Sequence, residues 1–142
     1  MPVIANAFTG KVEIDGIYYN LVTKANMAEV TYGDAPYTVS AISSPAQIEY
    51  EGIICDVTSI GEEAFKDCIE LTSVSVPSSV TVIGNMAFFG CENMVSVLGL
   101  DNVTNIGSYA FANCMSMVSF MTIYIINGVE MKLIMQSVLI LI

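Results

Sequence analysis

The chain has 142 residues, 54% of them hydrophobic and 13% charged, with 14 acids, 4 Lys, no Arg and no His. That length suits one domain, and so much apolar material excludes intrinsic disorder. A net charge of −10 with only four Lys and no Arg nearly excludes binding to a phosphate backbone or to an anionic lipid surface, and the missing His removes Ser-His-Asp and Cys-His nucleophiles along with imidazole metal ligands.

Along the chain, the first signal is the triplet Ala5-Asn6-Ala7, which has the small-residue spacing of a secretory cleavage region but lacks the charged and apolar stretches that should precede it. Two hairpin signals follow. Val12 to Leu21 places Asp15-Gly16 between alternating segments, and Ile48 to Val57 does the same with Glu51-Gly52. Between them, Gly33-Asp34-Ala35-Pro36 and Ser43-Ser44-Pro45 read as turns. Residues 1–56 are therefore expected to form a β-rich N-terminal lead-in that caps whatever comes next.

What comes next is a repeat of 23 residues. Val57, Val80 and Val103 superpose, as do Ile60, Ile83 and Ile106, then Gly61, Gly84 and Gly107. The register continues through Ala64, Ala87 and Ala110, Phe65, Phe88 and Phe111, and Cys68, Cys91 and Cys114, then Leu71, Met94 and Met117. It closes on Ser73, Ser96 and Ser119 with Val74, Val97 and Phe120. The apolar positions of each block can face one interior only if the chain coils once per block, and one coil cannot bury its own apolar face, so neighbours must stack. Leu71 to Val76 has the L-x-x-L-x-L shape of a leucine-rich repeat strand, and the period lies in the range for that solenoid. The Gly after Ile is expected at a tight bend of positive φ. Glu62 to Asp67 is expected to form a short helical turn with Ala64 and Phe65 inward, and Pro77 to close the strand. The fold class expected is α+β leaning to β, a short solenoid with 57–122 as three repeats.

The blocks from Val57 to Cys68 and from Val103 to Cys114 resemble the BspA-like leucine-rich repeats of bacterial surface proteins, closely over 57–120 and more loosely over the lead-in. The resemblance implies a secreted or surface-tethered solenoid, implicated in adhesion to host or matrix proteins, with no catalytic residues. Taken with it, the Ala5-Asn6-Ala7 triplet favours export, so the location expected is extracellular or on a bacterial cell surface.

The repeat decays after residue 122. Ile126 and Val129 fit a fourth block, but Glu130 stands where Gly is expected, Leu133 and Ile134 replace Ala and Phe, and Ser137 replaces Cys. Ile123 to Leu133, centred on Asn127-Gly128, reads instead as a β-hairpin, so 123–142 is expected to be a capping hairpin or a degenerate repeat. The ending Val138-Leu-Ile-Leu-Ile142 is too short, and Glu130, Lys132 and Gln136 too close, for a membrane span. It is an edge that either closes the solenoid or pairs with another copy's tail.

The three repeat cysteines should stack as buried, small apolar side chains. A disulfide between neighbouring coils is geometrically conceivable, yet three equivalent positions leave one over, and free thiols are favoured. The spacing fits no zinc site. Glu62 and Glu63 sit on a variable, solvated face rather than in an acid/base pair, no two carboxylates are placed for glycoside hydrolysis, and no Asp-rich loop suits calcium. No catalytic residue, cofactor or metal is expected.

Function should lie on the variable positions. Eleven acids and 3 Lys fall before Thr72, so the net charge is −8 there and −2 beyond, and the second half presents barer surface. Strand alternation turns Ser73 and Ser75 outward, then Ser96 and Leu98, then Ser119 and Met121, a strip of hydroxyls beside a growing apolar column. On the opposite turn, Met86, Phe89 and Tyr109 stand outward in place of charge. The expectation is a non-catalytic module binding a protein partner through these residues, and the competing one is a structural spacer that self-assembles through its C-terminal edge.

Overall fold

The computed structural model describes residues 7–117 and the strand backbones of residues 121–126 and 129–134. Turn chemistry sets the lead-in. Asp15 and Gly16 (φ 51° and 80°) reverse the chain between β1 (Thr9–Ile14) and β2 (Ile17–Val22), both central residues taking the positive φ a tight two-residue hairpin requires. A 3-10 turn over Thr23–Ala25 then leads to β3 (Met27–Thr31), antiparallel to β2 and not anticipated from the sequence. After β4 (Ala41–Ser43), Glu51 and Gly52 repeat the reversal between β5 (Gln47–Tyr50) and β6 (Ile53–Ile60). Ser43 thus ends a strand, and the chain bends at Ala46, after the expected turn at Ser43-Ser44-Pro45.

The first two repeats each contribute to two parallel ladders, and the third contributes to one of them among the described residues. The first ladder holds β7 (Ser73–Ser75) and β9 (Ser96–Leu98), laid in parallel on β4 in the order β4-β7-β9. The second holds β8 (Val82–Ile83) and β10 (Asn105–Ile106), which extend a seven-stranded sheet, β1-β2-β3-β6-β8-β10, with β5 beside β6. Lead-in and repeats therefore share both sheets. Among the described residues the only helical pieces are 3-10 turns, at Thr23–Ala25 and Leu100–Asn102, so the chain is a β-rich solenoid and the helical part of the α+β expectation has no counterpart. Two further strands, β11 (Met121–Ile126) and β12 (Val129–Ile134), pair antiparallel; the reversal at Asn127-Gly128 and the ending Val138 to Ile142 lie outside the described residues.

The core is one column per repeat position. The rings of Phe65 and Phe88 stack at 5.2 Å and those of Phe88 and Phe111 at 5.1 Å, nearly parallel at 14° and 5°. Tyr37 of the lead-in, 5.2 Å from Phe65, continues the stack where no repeat precedes it. Its hydroxyl donates to the Thr31 carbonyl (2.7 Å) and accepts from the Tyr18 N–H (3.0 Å), so the polar end of this buried ring is satisfied. Val57, Val80 and Val103, Leu71, Met94 and Met117, and the three repeat cysteines are likewise buried. Each fully buried Phe or Leu contributes about 1.5–3 kcal/mol relative to exposure.

Two expectations fail, for one reason. The segment Glu62–Asp67 is not helical. The N–H groups of Ala64, Lys66 and Cys68 bond three residues back, while those of Glu63, Phe65 and Asp67 donate to Asn85, Ala87 and Phe89 of the next coil. Met86, Phe88 and Gly90 donate in the same way to Ser108, Ala110 and Ala112. A helix would spend these donors internally and leave the coils unjoined. The left-handed φ of Glu63, Met86 and Tyr109 (55°, 54° and 59°), recurring at one repeat position, accompanies this alternation. Likewise, Gly61, Gly84 and Gly107 are not among the residues of positive φ. They are needed for room: a Cβ on Gly84 would lie 2.5 Å from the Glu62 nitrogen, and one on Gly61 2.7 Å from Glu29 Oε1. Adjacent coils touch backbone to backbone at this corner.

Candidate functional site

The parallel ladder β4-β7-β9 builds the strip. Ile42, Val74 and Val97 align in register and face the core, which leaves their neighbours on the outside. Ala41, Ser73 and Ser96 form one outer column, with Ser73 and Ser96 half-buried. Ser43, Ser75 and Leu98 form the other, all exposed, Leu98 at 61%. The strands are joined at both ends: Thr72 donates through N–H and hydroxyl to the Ser40 carbonyl (2.8 Å each), Val95 donates to Thr72 (2.8 Å), and Val76 donates to Leu98 (2.8 Å). Ser119 lies outside the described residues, and Met121 falls in β11 with its side chain not described.

Two contributions were missed by sequence reasoning. Ser43 joins the strip because β4 takes the place of a repeat strand, although no repeat motif marks Ala41–Ser43. Exposed Ile69, Val95 and Met115 lie on the segment leading from the cysteine towards the strand. Ile69 and Met115 share one repeat position, but Glu92 holds it in the middle coil, which hid the signal.

The opposite turn holds the other candidates. Tyr109 is exposed, while Met86 and Phe89 are half-buried. Met86 and Tyr109 occupy the left-handed position that Glu63 occupies in the first coil, so the solenoid dictates their backbone and only the side chain is free to vary. Charge on this turn is confined to the first coil, at Glu62, Glu63, Lys66 and Asp67. Lys66 pairs with Glu63 at 2.8 Å, the single ion pair among the described residues, and that contact raises the Lys66 pKa.

Beneath both surfaces runs the thiol ladder. Cys91 donates to the Phe65 carbonyl at 3.0 Å and Cys114 to that of Phe88 at 3.1 Å, each reaching one coil back. Cys55, Cys68, Cys91 and Cys114 are all buried and unbridged. Burial pushes the Cys91 thiol pKa up and that of Cys114 to about 12, so both are neutral at physiological pH and poor nucleophiles. Among the described residues no group of three His, Cys, Asp or Glu could hold a metal, and no helix is long and apolar enough to cross a membrane.

Stacked coils of 23 residues, each with one short strand on a shared parallel ladder and a phenylalanine column inside, define a leucine-rich repeat solenoid. The chain belongs to the BspA type leucine-rich repeat family, whose model matches residues 53–132. It is similar in structure to a leucine-rich repeat protein from Bacteroides capillosus, with 31% identity, a TM-score of 0.69 and 86% of each chain covered. It also resembles a leucine-rich cell surface protein from Faecalibacterium prausnitzii (30% identity, TM-score 0.65, 79% of this chain) and a leucine-rich repeat protein of T. pallidum (29%, 0.64, 76%). The chain spans only 30% and 48% of the lengths of those two. Comparison with curated proteins gives no match.

Proposed function

We propose that this chain is a non-catalytic protein-interaction module working outside the cell or on a bacterial surface, in adhesion to host or matrix proteins. The observation that carries the reading is the outer column Ser43, Ser75 and Leu98, an exposed apolar end on a hydroxyl strip held rigid by the ladder beneath it. Such a surface desolvates easily and loses little side-chain entropy on contact. The partner-binding set is Ser73, Ser75, Ser96, Leu98, Ser119 and Met121, with Met86, Phe89 and Tyr109 on the far turn, and to it we add Ser43. The family membership and the cell surface protein among the similar structures support the location. In this reading residues 1–56 and 123–142 close the two ends of the solenoid, with three repeats between, and neither cofactor nor metal takes part.

The test is a binding survey against matrix proteins and glycans, comparing the native chain with a Leu98→Asp, Met121→Asp variant. Selective loss of one partner by the variant is the expected result. Equal binding by both proteins would move the site to the far turn or the lead-in.

A further inference from the structure

The row of backbone hydrogen bonds along the far turns runs one way, an N–H of the lower coil donating to a carbonyl of the upper one, while the bonds in the other direction come from the Ser108 N–H to Asn85 Oδ1 and from the Cys91 and Cys114 thiols. Asn85, Ala87 and Phe89 receive from the first coil, and Ser108, Ala110 and Ala112 from the second. One period earlier, the equivalent acceptors are the carbonyls of Glu62, Ala64 and Lys66. Below them lies the lead-in loop instead of a coil. Among the described residues no backbone N–H reaches these three oxygens; the Lys66 carbonyl receives only a distant thiol, Cys68 at 3.8 Å. The loop does not complete the row: none of its described N–H groups reaches these oxygens, Pro36 has none to give, and Tyr37 turns inward onto the phenylalanine stack. A cleft of about 300 Å³ opens between loop and coil, lined by Tyr32, Asp34, Ala35 and Pro36 on one side and by Ala64 and Asp67 on the other.

The occupant follows from what the cleft lacks. At every other level this row is filled by alternate N–H groups of a backbone, which an extended peptide also presents on one edge. The cleft walls carry four charged side chains: Asp34 and Asp67, neither ion-paired among the described residues, and Lys66 and Glu63, which are engaged with each other, so the walls are net negative. With a net charge of −10 the surroundings attract cations. We propose that this cleft docks a basic, extended segment of a protein partner, whose backbone N–H groups meet the Ala64 and Lys66 carbonyls that line it while Arg or Lys side chains meet Asp34 and Asp67. The site is separate from the Ser75 and Leu98 strip.

The probe is a fluorescein-labelled Arg-Val-Arg-Val-Arg peptide, followed by anisotropy against the full chain. Binding is expected to weaken at least tenfold in an Asp34→Asn, Asp67→Asn variant and in Ala35→Trp, which fills the cleft from an exposed position; circular dichroism checks that both fold. Methylating alternate amide nitrogens of the peptide keeps its charge but removes the donors, and is expected to weaken binding by a similar factor. Leu98→Asp is expected to bind the peptide as the native chain does, which separates this site from the strip. Absence of binding, or equal affinity for the methylated and parent peptides, would overturn the proposal, the latter reducing it to charge attraction alone.

Discussion

The thiol of Cys91 donates to the carbonyl of Phe65, 3.0 Å away and one coil below. The same carbonyl already accepts the Cys68 N–H, so the sulfur takes its second lone pair and ties one coil to the next inside the core. Cysteine thus serves here both as a small apolar filler and as a donor. Replacing Cys91 with Ala removes the bond and leaves a small void, and about 1–2 kcal/mol of stability should be lost in urea unfolding.

The pH dependence follows from burial. The Cys114 thiol is raised from 9.0 to about 12, the Cys91 thiol is raised also, and the Tyr37 phenol goes from 10.0 to about 12. A folded-state value above the unfolded one means the native chain holds its protons longer as pH rises. The stability tied to these groups is whole below pH 9 and falls between roughly pH 9 and 12, by about 1.4 kcal/mol per unit for each group titrating only in the unfolded chain. Chemical unfolding at stepped pH checks this, and a flat profile across that window contradicts it. At pH 8 thiol reagents should label the four cysteines only after denaturant is added.

Two glycines should fail differently. Gly16→Ala meets no atom within 4 Å and suffers only from its φ of 80°, a loss of about 1 kcal/mol. Gly84→Ala has no such backbone demand but drives its Cβ to 2.5 Å from the Glu62 nitrogen, and backbone cannot yield as a side chain would. A loss of about 3 kcal/mol or more is expected for Gly84→Ala in thermal or urea melts.

Tyr109 is held at φ 59° with its side chain exposed. Tyr109→Gly relieves the left-handed strain and should raise stability by up to about 1 kcal/mol, despite the extra freedom Gly gives the unfolded chain. If the same variant loses partner binding, the tyrosine is kept for its ring at the expense of the fold.

Phe88 lies between two rings, so Phe88→Ala opens the middle of the stack and should cost about 3–5 kcal/mol. Tyr37→Phe preserves the ring that caps the stack but strands the Tyr18 N–H and the Thr31 carbonyl, with a smaller loss of about 1–3 kcal/mol. Equilibrium unfolding of the two variants ranks them.

Much of this architecture is written in residue spacing. Superposing Phe65, Phe88 and Phe111 by a shift of 23 residues amounts to reading the stacked column directly, because a repeated side chain in a repeated coil must meet its copies. Asp15-Gly16 and Glu51-Gly52 announced their hairpins, since few residues accept positive φ there. Gly84 was misread because its constraint is a neighbouring coil's backbone, and a sequence carries no distance to another coil. The same applies to Glu62–Asp67, whose local composition allows a helix while inter-coil acceptors draw its N–H groups outward. Ala41–Ser43 and Tyr37 stayed hidden for the complementary reason: they imitate repeat positions in space without the repeat's spelling.

The amino-acid order alone determined the period, the family, the inward columns and the exclusion of histidine-based chemistry, because these depend on residue identity and on separation along the chain. Only the tertiary structure decided that the lead-in shares both sheets with the repeats, that cysteine sulfurs reach back to phenylalanine carbonyls, and that the carbonyls of Glu62 and Ala64 meet no backbone donor among the described residues. Hydrogen-bond partners between coils are chosen by distances that exist only once the coils are stacked.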